Sequence, residues 1–158
     1  MTAAASRRAH ALVDSALAAG TLATIATGGA LIGLGWREGE AGRVFRLAGR
    51  GLLERWGVAS AMAPLTSVAL GYLHHLIVAT IWGTALALLV LGFRGATRVI
   101  LVLLAAAAYV LVTVRWVPAS LRIGYGVTGT LPGAVPIGVA LAAALLGGIW
   151  VALGDEQR

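Results

Sequence analysis

Charged positions divide this chain into long uncharged blocks. No Asp, Glu, Lys or Arg occurs over the 22 residues from Ser15 to Trp36, the 38 from Trp56 to Phe93, the 16 from Val99 to Val114 or the 32 from Ile123 to Gly154. A helix rises about 1.5 Å per residue and needs roughly 17 to 25 apolar residues to cross a hydrocarbon layer about 30 Å thick. The pattern therefore predicts helices near 14–35, 64–92, 97–117 and 131–153. The third run is slightly short, so it spans only if Arg98 and Arg115 carry their charges to the two interfaces. The reading is an all-α integral membrane bundle of four transmembrane helices, one domain over 1–158.

Between the first two blocks the pattern changes. From Arg43 to Trp56 the charges Arg43, Arg46, Arg50 and Glu54 recur at spacings of three and four, opposite a stripe of Phe45, Ala48, Leu52 and Trp56. This spacing predicts an interfacial amphipathic helix over 43–56 lying on the bilayer surface, interrupted somewhat by Gly49 and Gly51. It serves as a connector shielding the ends of the spans or as a docking surface.

Composition agrees with the blocks. Hydrophobic residues make up 59% of 158, only 11% are charged, and mean hydropathy is +0.92, whereas soluble domains carry about a quarter charged residues. Four apolar blocks with so few charges leave no polar surface to cover a soluble core. The first run also exceeds a signal-peptide apolar region of about 7 to 15 residues, so it is expected to be retained.

All twelve basic residues are arginine, giving a net charge of +6. They flank apolar blocks, which points to lipid phosphates and not to nucleic acid. Arg7, Arg8, Arg94, Arg98 and Arg158 fall on one side of a four-span chain, and the other seven on the opposite side. That count opposes an inside N-terminus. The first helix usually dominates and short loops weigh most, so both termini are expected on the cytoplasmic side of a bacterial inner membrane.

Small residues recur inside the blocks. Gly29 and Gly33 form a GxxxG; Gly71, His75, Ala79, Gly83 and Ala87 repeat every four residues; Ala140, Ala144 and Gly148 do the same. Such stripes let helix backbones approach closely, within one chain or between subunits.

Candidate chemistry is sparse. The chain has no cysteine, which excludes disulfides, thiolate metal sites and cysteine nucleophiles. His74 and His75 lie mid-way along an uncharged block, where ionisable groups are costly and default to functional candidates. Adjacent histidines on a helix do not share a metal, and no carboxylate falls within a predicted span, so no metal site is expected. Three readings cover the pair: a neutral histidine bonded to a carbonyl or to Thr24, Thr27, Thr80 or Thr84; an axial ligand of a haem or chlorophyll-type pigment; or part of a proton or substrate path. His75 falls on the small-residue stripe and His74 about 100° round the helix.

The run Gly124-Tyr125-Gly126-Val127-Thr128-Gly129 matches GxGxxG, but no strand precedes it, so it does not predict a nucleotide site. It also holds the Gly-Tyr-Gly of potassium filters, with Arg122 where those have threonine and without their pore helix. The remaining reading is a re-entry loop ending at Leu131-Pro132, with Pro132 opening a helix. No catalytic set occurs, and the chain is not expected to be an enzyme.

The stretch Gly71-Tyr72-Leu73-His74-His75-Leu76-Ile77, continuing to Trp82-Gly83 after an amphipathic segment, resembles small bacterial inner-membrane proteins of the YagU-like kind over about 40 residues. The resemblance implies four spans and no assigned reaction. The leading expectation is a non-catalytic accessory or assembly subunit of a larger membrane complex. The alternatives are a small oligomeric transporter or channel, and a pigment-binding subunit using His75 or His74. Expected partners are the lipid bilayer and other membrane subunits or further copies of the chain.

Overall fold

A computed structural model describes residues 3–58, 64–119, 122 and 125–154, and among these the ordered elements are all helical. They are α1 (Ala3–Arg37), α2 (Arg43–Arg55), α3 (Pro64–Leu91), α4 (Gly95–Arg115) and α5 (Leu131–Gly154), with a 3₁₀ turn at Gly126–Gly129 before α5. Within α1, α3, α4 and α5 lie four stretches long and apolar enough to span a membrane: His10–Arg37, Pro64–Leu91, Gly95–Arg115 and Leu131–Val151.

α1 begins eleven residues before the expected boundary of 14. The Ala-rich segment from Ala3 propagates the helix by its own propensity, which a reading of apolar runs does not register. At α4, Arg98 does not simply reach for the interface. It lies in the first turn and its Nη2 donates to the Leu91 carbonyl at 3.1 Å, satisfying a backbone acceptor left open at the end of α3.

Side-chain size is distributed as lipid demands. Large apolar residues such as Ile81, Leu89, Leu104, Leu111 and Val139 point outward, while Ala16, Ala19, Ala23, Ala87 and Ala106 are buried. Lipid tails solvate leucine as well as a protein core does, so the bundle holds together by close backbone approach and polar contacts. The contacts run antiparallel. Gly20 lies against Thr84, Thr24 against Thr80 and Thr27 against His75, joining α1 to α3. Gly148 of α5 lies on α1, where an added Cβ would stand 2.7 Å from the Ala19 Cα. Gly138 of α5 abuts Val110 of α4. α1 is thus the central helix, flanked by α3 and α5, with α4 on the far side of α5. α3 and α4 are joined by a short turn yet touch little along their lengths.

The small-residue positions divide. Gly83 meets α1 closely, since a Cβ there would be 3.0 Å from the Gly20 Cα, and Ala87 is fully buried. Gly71 faces the Phe45 carbonyl of α2 and not α1. Ala79 and Ala140 are half-buried, and Ala144 packs on the core beside Gly148. Gly29 and Gly33 are exposed, with nothing within 4 Å of a Cβ at either. The inward face of α1 runs through Gly20, Thr24, Thr27, Leu31 and Leu34. Gly29 lies nine residues, or about two and a half turns, from Gly20 and so falls on the opposite side. Among the described residues the GxxxG meets no other helix.

α2 also sits differently from expectation. Phe45, Ala48 and Leu52 are buried, but Trp56 is 63% exposed at the helix end. The apolar face is turned onto α3, not only onto lipid. Gly49 and Gly51 do not interrupt the helix. Gly49 instead lets α2 reach the α3 backbone at Ser67, where no side chain would fit. Ahead of α2, Glu38 pairs with Arg43 at 3.0 Å and Glu40 with Arg46, closing the α1–α2 turn.

Candidate functional site

The small area of contact between α3 and α4 leaves a groove. It encloses a cavity of about 710 Å³, floored by α1 and α5 and walled by α3 and α4. Ligand sites typically measure about 300 to 1,000 Å³. Its rim includes Val78 and Trp82 on α3 and Val112 on α4, all exposed, with Trp82 at 64%. The groove therefore opens sideways, towards the space that lipid occupies. From His74 to Leu86 along α3 it extends about 18 Å at 1.5 Å per residue.

Polar groups collect at one end of this cavity. His74, His75, Thr113, Arg122, Tyr125 and Thr128 line it there, whereas Val78, Leu86, Ala105 and Leu141 line the remainder. The polar end is formed by the first half of α3, the last turns of α4 and the α4–α5 connection.

The two histidines have separate roles, because successive residues on a helix point about 100° apart. His75 is turned onto α1. Its Nε2 lies 3.3 Å from both the Thr27 Oγ1 and the Thr24 carbonyl oxygen. The Thr27 hydroxyl already donates to the Ala23 carbonyl at 2.7 Å, and a carbonyl only accepts. Both partners therefore need a donor, which assigns the proton to Nε2 of His75. A protonated nitrogen has no lone pair for a metal, so only Nδ1 of this residue is left to ligate one. One turn further along α3, the Thr24 hydroxyl donates to the Gly20 carbonyl at 2.9 Å and accepts from Thr80 at 3.0 Å by the same logic. These threonines satisfy the histidine in a medium that offers no water.

His74 faces the α4–α5 connection. Its ring lies beside that of Tyr125, with centroids 6.0 Å apart and planes 26° from parallel. Its Nδ1 is buried without a hydrogen-bond partner. Tyr125 is anchored in turn, since its hydroxyl donates to the Gly71 carbonyl at 2.9 Å. Burial pushes the Tyr125 phenol pKa upward, which keeps the donor protonated. The 3₁₀ turn follows from the connection's own bonds, with the Thr128 hydroxyl donating to the Tyr125 carbonyl at 2.7 Å. Gly133 packs on Val127 too closely for a side chain.

Arg122 and Tyr125 are the site residues that sequence reasoning passed over as parts of a connector. Arg122 donates through Nη2 to the Val117 carbonyl at 2.6 Å and the Thr113 carbonyl at 3.2 Å. Its guanidinium packs against Gly129, where a side chain would collide. Its Nε is buried and unpartnered, and among the described residues no carboxylate lies within ion-pair distance. The signal available earlier was a lone cation beside a glycine-rich run.

Among the described residues no group of three His, Cys, Asp or Glu side chains converges as a metal site would require. The arrangement has the properties of a binding pocket: an apolar volume with one polar, cationic end. No protein-family model, no curated protein and no solved structure matches this chain.

Proposed function

We propose that this chain is a non-catalytic accessory subunit of the bacterial inner membrane, with cytoplasmic termini, that holds a largely apolar molecule between α3 and α4. The observation that carries this reading is the sideways-open cavity of about 710 Å³ with its polar groups at one end. A guest with an apolar body and a polar tip matches both the lining and the opening. The outward Gly29–Gly33 ridge supports the accessory half of the reading. With nothing within 4 Å of either position, a helix from another subunit has room to approach the α1 backbone there. A transport path for polar solutes has less support, because polar lining stops near His74 and His75 and the groove beyond them is apolar.

Native mass spectrometry of the protein purified in mild detergent tests the proposal. One guest per chain and co-purifying membrane subunits are expected. A bare chain that elutes alone would sink it.

A second reading is favoured by His74, which lines the cavity and whose buried Nδ1 has no hydrogen-bond partner. It makes His74, and not His75, the axial ligand of a flat haem or chlorophyll-type pigment. An absorption spectrum separates the two: a Soret or near-infrared band lost in His74→Ala supports the pigment, and a colourless preparation excludes it.

A further inference from the structure

Resting on the reading of the α3–α4 groove as a binding site, we propose that its occupant is an anionic phospholipid. Its phosphate sits at Arg122 and an acyl chain lies between α3 and α4.

Three observations converge on this chemistry. The first is charge. Arg122 lines the cavity, no carboxylate of the described residues reaches it, and its Nε is buried without an acceptor. The carbonyls of Thr113 and Val117 orient the guanidinium through Nη2 alone but carry no charge. A half-buried cation without a counter-charge is costly, and a phosphate supplies both the missing charge and oxygens that match the guanidinium fork. The second is depth. Arg122 follows the end of α4 at Arg115 and precedes the start of α5 at Leu131, so it stands at the level where headgroup phosphates lie. The third is direction. Below Arg122 the groove is walled by Val78, Leu86, Ala105 and Leu141, and it opens between Trp82 and Val112. A lipid thus enters from the bilayer with its chain already in hydrocarbon and its phosphate already at the interface.

The carbonyls that orient Arg122 also explain why the cation is fixed in place. Gly129 leaves room for the guanidinium against the connection, and Tyr125 ties that connection to Gly71. A pre-positioned cation loses little freedom when the headgroup arrives.

The test uses the full-length protein, stripped of lipid in detergent and then supplied with dioleoylphosphatidylglycerol or dioleoylphosphatidylcholine. Retained lipid is counted by native mass spectrometry. One phosphatidylglycerol per chain is expected, held about tenfold or more tightly than phosphatidylcholine, as loss of a charged hydrogen bond would cost. Arg122→Gln is expected to abolish that preference and Arg122→Lys to keep most of it. Ala105→Trp, which fills the groove and leaves Arg122 intact, is expected to lose both lipids.

Equal retention of the two lipids by the wild type, unchanged in Arg122→Gln, overturns the anionic assignment while leaving the groove as a binding site. Retention of neither lipid overturns the groove reading itself. Should Arg122→Gln fail to fold, Ala105→Trp decides: phosphatidylglycerol bound as in the wild type places the lipid elsewhere and ends the proposal.

Discussion

His75 donates from Nε2 across the α1–α3 interface to Thr27, whose Oγ1 lies 3.3 Å away, and to the Thr24 carbonyl at the same distance. The bond comes from the far nitrogen of the ring, and this sets which replacement restores it. A glutamine amide reaches the Nε2 position, whereas an asparagine amide reaches only that of Nδ1. His75→Ala is expected to cost about 0.6 to 2 kcal/mol, as other intramembrane hydrogen bonds do. Glutamine should recover more of that loss than asparagine in thermal unfolding in detergent. Equal losses for Gln, Asn and Ala would remove the Nε2 bond from the account.

The glycines separate into two classes with opposite expected responses. Gly71 and Gly49 bring α2 and α3 into backbone contact, and an added Cβ at either meets backbone atoms of the facing helix. Gly71→Ala and Gly49→Ala should each lower the melting temperature markedly, because backbone cannot yield as a flexible side chain does. Gly29→Ala and Gly33→Ala face open space and should be neutral or stabilising by up to about 1 kcal/mol through helix propensity. Gly83→Leu should likewise disrupt folding more than Leu88→Ala, since Leu88 is exposed and Gly83 touches Gly20. Similar stabilities across the two classes would contradict the packing.

Tyr125 couples the α4–α5 connection to α3 through its bond to the Gly71 carbonyl. Tyr125→Phe should lose about 0.5 to 1.5 kcal/mol. The pH dependence follows from the upward-shifted phenol. The unfolded chain releases this proton near pH 10, while the buried phenol holds it. The contribution is therefore complete below about pH 10 and declines as pH rises beyond it. Between about pH 8 and about pH 11 the melting temperature should fall less in Tyr125→Phe than in the wild type. Identical pH profiles for the two would count against the buried hydroxyl.

Topology is open to direct labelling, since the chain has no cysteine of its own. Arg50 is exposed on α2, and Gly92 is exposed in the α3–α4 turn with nothing within 4 Å of a Cβ. Arg50→Cys and Gly92→Cys should react with an impermeant maleimide from opposite sides of the membrane. Labelling of both from one side would refute the four-span arrangement. Gly49 is unsuited to this use, because its replacement would part α2 from α3.

The four spans and their connections were legible in the residues themselves. An arginine or carboxylate in hydrocarbon is expensive wherever its neighbours lie, so Asp14, Arg37, Arg55, Arg94, Arg115 and Arg122 mark block boundaries without reference to the fold. The amphipathic character of 43–56 was equally local. The partners of His75 were legible in kind, as hydroxyls and carbonyls, because a neutral imidazole in lipid has few other choices. What only the tertiary structure decided was the rotation of each helix about its axis and which helices stand side by side. In water an apolar stripe identifies the buried face. In lipid both faces are apolar, so leucines and glycines carry little information about direction. That is why Gly29 and Gly33 could be recognised as a close-packing motif and still face away from every described helix. It is also why His74 and His75, adjacent in sequence and both on the cavity lining, turn one to Tyr125 and the other to α1. The position of Arg122 depended on the same rotations. α3 and α4 follow one another across a short turn yet stand apart, and the groove between them exists because α1 and α5, distant in sequence, pack so closely through Gly148 and Ala19.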